Sequence, residues 1–508
     1  MAASHTYDVC IIGAGPAGLS VLSALHNPDG VLTDSQQLRR QWNKSIGIGK
    51  QGARKEVSVC VVDPAGTWLS AWKGRFKSLG IEFLRSPAWA TPDYYSNAAI
   101  TEFAWKKGRE NELHDVDLPR KAIKDLHHMV GAGLFKLPGT KLFNDFCDEL
   151  AESLPHTLVT GAAERVQDLE DGTYCVEVTG HQLPVCAKHV IFAVGAANSP
   201  VIPKSLGHVY NSVNPAASPS VVHTFSWRLL QALPFAGETV VVVGGGLSAA
   251  QAALLAVRRG AQKVLLVARN PMKSRLYDLS VDWLDPKVGW RSDKCEKTRM
   301  FEFYDMPKSK RRAWVHSARG GATVPPSYLE MLKAASKTGR LKTCVDEIAN
   351  AEMSPCETRP GAIDLSFLHG TAPLTVDRVV LATGSKLSVS KLPLLSEAIK
   401  RFNLPVVDDL PDVDESLTWG DEGFSVVGNL ALLQVGPDSG NLSGCRRCAE
   451  RCANYFGAFE TYSETGGVLR NKFAAFESDS DSDESSDSGD SDWCEPDEVS
   501  LRVRSSTK

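Results

Sequence analysis

Two glycine-rich turns constrain this chain more than any other feature, each set between an apolar run and a helical pattern. The first is "YDVCIIGAGPAGLS", Tyr7 to Ser20; the second is "TVVVVGGGLSAAQAALLA", Thr239 to Ala256. A short apolar run, then G-x-G-x-x-G or G-x-G-x-x-A, then a helical pattern predicts strand, tight turn and helix. In the first turn Gly13 permits the reversal, Gly15 lets backbone approach a pyrophosphate, and Gly18 lets helix pack on strand. Pro16 and Ala17 open the helix, whose N-terminal amides and partial positive charge favour phosphate. In the second turn Gly244 and Gly246 hold the same places and Ser248 follows. Ala249 stands third, spacing helix from strand slightly more.

The residue ending the next strand decides which dinucleotide fits. After the first turn that strand is "VSVCVVD" (57–63), closed by Asp63. It comes late because a polar, Gly-rich stretch, 27–56, is inserted. An acid there is the expected ribose ligand. After the second turn the strand ends in "VARN", with Arg269 and no carboxylate. A guanidinium accommodates a 2′-phosphate that an acid would repel, which favours NADPH over NADH. The bland alternative is a solvated surface arginine. Two cradles imply two dinucleotides, FAD held throughout and NADPH visiting to deliver hydride.

The strand–turn–helix–strand pattern occurs twice. Each copy is followed by a strand ending in A-x-G, "HVIFAVGAANSPVIP" with Gly195 and "DRVVLATGSK" with Gly384. This order predicts an α/β fold of two Rossmann-like domains, the NADPH domain inserted in the FAD domain. The expected boundaries are 1–215 and 386–470 for the FAD domain and 216–385 for the NADPH domain. Residues 477–508 form an acidic tail, expected to be disordered because "ESDSDSDESSDSGDSDW" has almost nothing apolar to bury.

Composition bounds the rest. With 508 residues, 43% hydrophobic and 23% charged, the chain suits two or three globular domains. No uninterrupted apolar run approaches a membrane span of about 18 residues, and the N-terminus reads as a first strand rather than a leader. The expected location is cytoplasmic. Twelve cysteines are too dilute for a disulfide scaffold. Cys10 and Cys60, in apolar strands, read as small hydrophobes, which fits a reducing compartment. The tail holds 11 acidic and 3 basic residues, leaving 53 basic and 49 acidic residues in a body of net charge +4. That suits phosphate-bearing ligands. There is no basic stripe with interleaved aromatics, so nucleic acid is not expected as a partner. The tail's Ser-acid repeats either offer sites to an acidophilic kinase or simply solubilise.

Other constellations are weaker. Cys445, Cys448 and Cys452 in "CRRCAERC" share one helix face; a metal or Fe–S site would need a fourth ligand, and core packing is the expectation. His127-His128 has no spaced partner, and no metal site is expected. "PKSKRR" (307–312) reads as a solvated loop or a nuclear signal.

These motifs resemble the flavin-dependent monooxygenases of the two-dinucleotide-domain type, the flavin-containing monooxygenases and the N-hydroxylating lysine/ornithine enzymes. "GAGPAG" resembles their FAD turn and "VVGGGLSAAQ" their NADPH turn. "DPAGTW" (63–68) resembles an acid-x-x-G-x-W element, which implies Trp68 near the flavin. "FAVGAANSPVIP" and "LATGS" resemble their two interdomain linkers. "VGNLALLQVGPDSGNLSG" resembles the final flavin-covering segment, with Gly428, Asn429, Asn441 and Leu442; Asn429 stands where that family has Asp. "RSPAWATPDYYSNAAITEFAWKKG" and "GGGLSAAQAALLA" are similar to the oxidative-stress-induced growth inhibitor family. The resemblance runs from about residue 7 to 457. It implies FAD, NADPH and O2 as reactants, a C4a-(hydro)peroxyflavin, and oxygenation of a small-molecule nucleophile, at N or S first and a ketone otherwise. It also implies flavin surroundings that include Trp68, Ser86 and either Asn198 or Asn441. The stretch 275–330 would lie by the nicotinamide or substrate opening, where Arg275, Arg319 and Tyr328 either touch ligand or are plain surface. No catalytic acid or base is singled out. Two rival readings share the scaffold: a flavoprotein regulator of stress or growth, and a disulfide reductase, which needs a redox cysteine pair beside the flavin.

Overall fold

The computed structural model describes residues 6–26, 57–94, 96–118, 131, 133–195, 199–212, 219–279, 303–356 and 358–462. The insertion 27–56, His127-His128, Asn198 and the tail 477–508 lie outside them.

Twelve strands and four helices place the site. In chain order the strands are β1 (Thr6–Ile12), β2 (Val59–Asp63), β3 (Thr157–Thr160), β4 (Val185–Phe192), β5 (Val221–His223) and β6 (Thr239–Val243). They continue with β7 (Lys263–Ala268), β8 (Lys273–Ser274), β9 (Thr323–Val324), β10 (Leu341–Val345), β11 (Arg378–Leu381) and β12 (Phe424–Val426). The helices are α1 (Pro16–Leu25), α2 (Leu247–Arg258), α3 (Lys308–Arg319) and α4 (Leu442–Tyr462).

The first sheet is parallel in the order β3-β2-β1-β4-β12, and antiparallel strands Tyr174–Val178 and Ala163–Asp168 extend it from β4. The second is parallel throughout, β10-β7-β6-β11-β5. Their central strands are covered on both faces, which explains why the sequence runs apolar without alternation. Val9 to Ile12 and Val240 to Val242 are all buried. Every residue of α1 from Ala17 to Leu25 is buried as well. A helix apolar all round must be enclosed, and α4 closes α1 from the side away from the sheet. The spatial order turns back beside β1 in one sheet and beside β6 in the other, where ligands of such folds bind.

The chain leaves the first sheet after β4 and returns after β11, and the two crossings are zipped together. Val201 N–H donates to the Gly384 carbonyl at 3.0 Å, and Lys386 N–H to that of Ser199 at 2.9 Å. The Thr383 hydroxyl donates to the Val201 carbonyl.

One local expectation is corrected. "PKSKRR" is not a solvated loop: it starts α3, and three of its four cations are spent inside the fold while Lys310 is exposed. Lys308 pairs with Asp412, buried Arg311 donates to the carbonyls of Tyr304, Met306 and Leu433, and Arg312 donates to that of Leu387. Among the cysteines, Cys175 and Cys186 are cross-strand partners joined by a disulfide. Cys10 and Cys60, also cross-strand partners, are fully buried free thiols. Among the described residues no helix is long and apolar enough to cross a membrane.

Candidate functional site: two phosphate cradles

In the first cradle the three glycines do different work. Gly13 has φ +116°, and a Cβ there would stand 2.5 Å from the Ala193 carbonyl oxygen. A Cβ on Gly18 would stand 2.2 Å from the carbonyl oxygen of Gly13. Both are glycine because the protein itself fills the space. Gly15 has an ordinary extended backbone, φ −87°, and a Cβ there would meet nothing within 4 Å. Its bare face opens on room that a pyrophosphate can enter, at the start of α1 with Pro16 and Ala17 in the first turn.

Asp63 is pinned beside this turn. Its carboxylate accepts the amides of Ala14 at 3.0 Å and Ala65 at 2.9 Å. Two oxygens accept about four bonds, so capacity remains for ribose hydroxyls. The Leu69 amide donates to the Ala14 carbonyl at 2.8 Å, which folds "DPAGTW" back on the turn. Trp68 forms part of that wall, but its indole N–H donates to His156 Nε2 at 3.0 Å. His156 Nδ1 lies 2.8 Å from the Leu154 carbonyl oxygen, so the ring proton sits on Nδ1. The polar edge of Trp68 thus points to the start of β3 and is occupied. Gly195, φ +74°, lies where the chain leaves β4, with open space at its Cβ position.

The segment after β12 comes back to the first cradle. A Cβ on Gly428, φ +75°, would lie 3.4 Å from the Ala17 methyl. The Gly428 amide donates to Cys448 Sγ at 3.3 Å. Asn429 packs against Gly440, whose Cβ would stand 2.2 Å from Asn429 Oδ1. The Asn441 amide donates to the Asp438 carbonyl at 2.7 Å and its carbonyl accepts the Cys445 amide at 2.9 Å, so it starts α4. Leu442 follows, buried.

Helix α4 is buried on more than one face, which explains "CRRCAERC". Cys445, Cys448 and Cys452 face the core; burial raises all three thiols, Cys448 to about 11 and Cys452 to about 12. They are neutral at physiological pH and lack the thiolate that disulfide exchange needs. The arginines reach outward to loops. Arg446 donates to the carbonyls of Asp93 and Tyr94 and to Asn97 Oδ1. Arg447 pairs with fully buried Asp438. Arg451 donates to the Gln434 carbonyl and the Tyr304 hydroxyl. Among the described residues no three His, Cys, Asp or Glu side chains are grouped to hold a metal.

The second cradle repeats the first with one difference. Gly244, φ +149°, would place a Cβ 2.4 Å from the Ala382 carbonyl oxygen, as Gly13 does at Ala193. Ala249 is fully buried, and exposed Ser248 lies in the first turn of α2. Gly246, the counterpart of Gly15, is not open: a Cβ there would stand 3.0 Å from the Ala322 methyl. Arg269, directly after β7, is exposed. It makes no hydrogen bond or ion pair among the described residues. Gly384, φ +78°, is exposed in the returning crossing.

A polar cluster that motif reading missed ties Arg85 to the 275–278 and 319–323 segments. Arg85 donates to the carbonyls of Arg275, Leu276 and Tyr277 and to Thr323 Oγ1, and pairs with Asp278. Arg319 reaches Asp278 Oδ2 at 3.1 Å and the Pro437 carbonyl at 2.5 Å. Arg275 donates to the Arg319 carbonyl at 3.2 Å. Tyr328 lies in the core of the second sheet's unit, accepting from Gln251 at 3.3 Å, not at the opening. Ser86 is half-buried next to Arg85. Nothing in the local pattern around Arg85 announces partners nearly two hundred residues away.

A family model described as pyridine nucleotide-disulphide oxidoreductase matches residues 156–312. No curated protein matches the chain by sequence. Solved structures match along most of its length. The ornithine N-hydroxylase of Kutzneria sp. 744, in a complex with reduced FAD, NADP+ and L-ornithine, superposes with TM-score 0.64 at 16% identity, covering 90% of this chain and 100% of that one. The cadaverine monooxygenase of Erwinia amylovora, bound to FAD, gives 0.61 at 16% identity over 91% and 95%. The L-lysine 6-monooxygenase of Pseudomonas syringae gives 0.58 at 18% identity over 89% and 99%. The chain has the fold of these flavoproteins, two dinucleotide-type α/β units with the second set between β4 and β12 of the first.

Proposed function

We propose that the chain is an FAD-dependent oxidoreductase that uses NADPH and O2 to oxygenate a small-molecule nucleophile, an amine nitrogen or a sulfur. The observation that carries this reading is Gly15. Its Cβ position has nothing within 4 Å, in a turn that Asp63 grips at Ala14 and the Gly428 segment meets at Ala17, a cradle suited to the pyrophosphate and ribose of FAD. Bound there, FAD supplies hydride acceptance from NADPH and activation of O2. The chain's own part is to bind and orient. The Gly13–Gly18 turn holds phosphate, Asp63 ribose, and the 428–442 segment covers the flavin with Asn429, Asn441 and Leu442. Gly244, Gly246, Ser248, Ala249 and Arg269 would receive the second dinucleotide, with Gly195 and Gly384 in the crossings. We assign 1–215 and 386–470 to the first domain and 216–385 to the second, and place the reaction in the cytoplasm. The ornithine N-hydroxylase among the structural neighbours, and the amines cadaverine and L-lysine that name the monooxygenases beside it, support nitrogen as the target.

One observation favours a second reading, a flavoprotein regulator with little turnover: Ala322 stands over Gly246 where the second dinucleotide would lie. Purified protein tests both. The first reading expects one FAD per chain, NADPH oxidised faster than NADH, and O2 consumed with formation of a hydroxylated amine or an S-oxide. The variant Gly15→Ala should fold with unchanged melting and lose FAD. Yellow protein inert to NADPH across amines and thioethers supports the regulator. Protein that takes up no FAD overturns both.

A further inference from the structure

The two cradles, alike in sequence, differ in what faces the second glycine. At Gly15 there is nothing within 4 Å; at Gly246 the Ala322 methyl is 3.0 Å from the Cβ position. The missing side chain at this place is what lets backbone approach a pyrophosphate. A methyl and a phosphate cannot share it.

Ala322 is itself exposed, so its own burial does not hold it there. Its neighbours do. Thr323 and Val324 form β9, which pairs with β8, and the Arg275 amide donates to the Val324 carbonyl at 3.1 Å. One guanidinium from the first unit then fastens this ribbon. Arg85 Nη2 donates to Thr323 Oγ1 at 2.8 Å and to the Arg275 carbonyl at 2.7 Å, and its Nη1 pairs with Asp278. Asp278 is held in turn by Arg319, which also grips the Pro437 carbonyl beside the flavin-covering segment. The other end of the strap follows directly on α3, where the Gly320 amide donates to the Ser317 carbonyl at 2.9 Å. Gly320 and Gly321 are consecutive left-handed glycines, φ +64° and +81°, and Gly321 has nothing within 4 Å of its Cβ position. Such a pair changes direction at little steric cost.

We propose that residues 320–324 are a strap across the second cradle, latched by Arg85 and Asp278, which must swing aside on the Gly320-Gly321 pair before a dinucleotide pyrophosphate reaches Gly246. The proposal rests on the reading of that cradle as the NADPH site. It gives the covered glycine a meaning other than loss of activity: the second dinucleotide is admitted only by the open form. It also makes Arg85 a fastener, since its guanidinium is filled by the ribbon and is not offered to a ligand.

The test uses full-length FAD-loaded protein, with NADP+ as probe, titrated calorimetrically. Ala322→Gly removes the methyl and keeps the latch; Asp278→Asn keeps the shape and weakens the latch. Apparent affinity scales with the open fraction, so each variant should bind NADP+ more tightly, Asp278→Asn by about tenfold. In wild type, NADP+ should speed hydrogen exchange at 320–324 while slowing it at 244–250. Unchanged affinity in both variants, or slowed exchange at 320–324, overturns the strap and leaves the NADPH reading standing. Absence of NADP+ binding by all three proteins overturns the NADPH reading itself. Should Asp278→Asn fail to fold, Ala322→Gly alone decides.

Discussion

Gly13, Gly15 and Gly18 share a letter for reasons that sequence cannot separate. Motif spacing finds all three; only the neighbours show that Gly13 and Gly18 answer to the protein, while the Cβ position of Gly15 is open. Gly13→Ala or Gly18→Ala should therefore destabilise the fold by about 3 kcal/mol or more, through a disallowed φ or a backbone clash. Denaturant midpoints measured without FAD will show it, and Gly15→Ala is the internal control. Arg269 is the opposite case, legible because strand-end position is local information. It is exposed and makes no hydrogen bond or ion pair among the described residues, so Arg269→Ala should leave stability within about 0.5 kcal/mol. Loss of a charged hydrogen bond to a 2′-phosphate should raise KM for NADPH about tenfold or more, with KM for NADH little changed. Equal effects on both would remove Arg269 from this role. Trp68, Arg85 and Ala322 were not legible in the same way. What they touch, His156, Thr323 and Gly246, is set by the fold and not by neighbouring letters.

At the scale of elements, periodicity carried one face of α4 and not the other. The i, i+3, i+7 spacing puts three cysteines together and predicts a packed side. It does not say that the intervening arginines are also partnered, because an arginine at a helix surface ordinarily ends in water. Here Asp438 is fully buried and Arg447 is its charged partner, with side-chain exposure of 18%. Breaking such a pair strands a charge. Arg447→Ala should cost about 3–5 kcal/mol and loosen the 436–442 turn over the first cradle. Arg447→Met with Asp438→Asn, which removes both charges, should recover much of the loss. A double-mutant cycle on unfolding free energy, read together with FAD release, checks this; additive costs would show that the two groups do not depend on each other. The same logic explains "PKSKRR". Six residues of basic composition read as solvated, yet α3 sits against the short helix Leu432–Val435 and the 408–412 segment, whose carbonyls and carboxylates absorb Lys308, Arg311 and Arg312.

For the whole molecule, the order of the strands was more legible than their contacts. A buried parallel strand declares itself by an uninterrupted apolar run, and a repeated turn motif declares a second unit, so the nested arrangement follows from spacing alone. The zipped crossings and the cluster from Arg85 to Pro437 do not, since they join segments far apart in sequence. Among the described residues each unit also buries one histidine, and this sets how both respond to acid. His189 lies on β4, its Nε2 2.9 Å from Ser425 Oγ of β12 and its ring edge-on to Phe456. His223 ends β5 with its Nδ1 accepting the Phe225 amide. Burial lowers His189 to about 3 and His223 to about 4. Both are neutral in the fold, while the unfolded chain takes up protons below pH 6.5. Their stabilising effect is whole above that value and is lost as pH falls from 6.5 towards 4 and then 3. At pH 5 the loss relative to pH 7.5 should be about 2 kcal/mol for each. Urea midpoints at the two pH values measure it, and His189→Gln should flatten the first unit's share of the drop while keeping a hydrogen bond to Ser425. If the variant loses stability between pH 7.5 and 5 as steeply as wild type, His189 is not a source of the acid sensitivity.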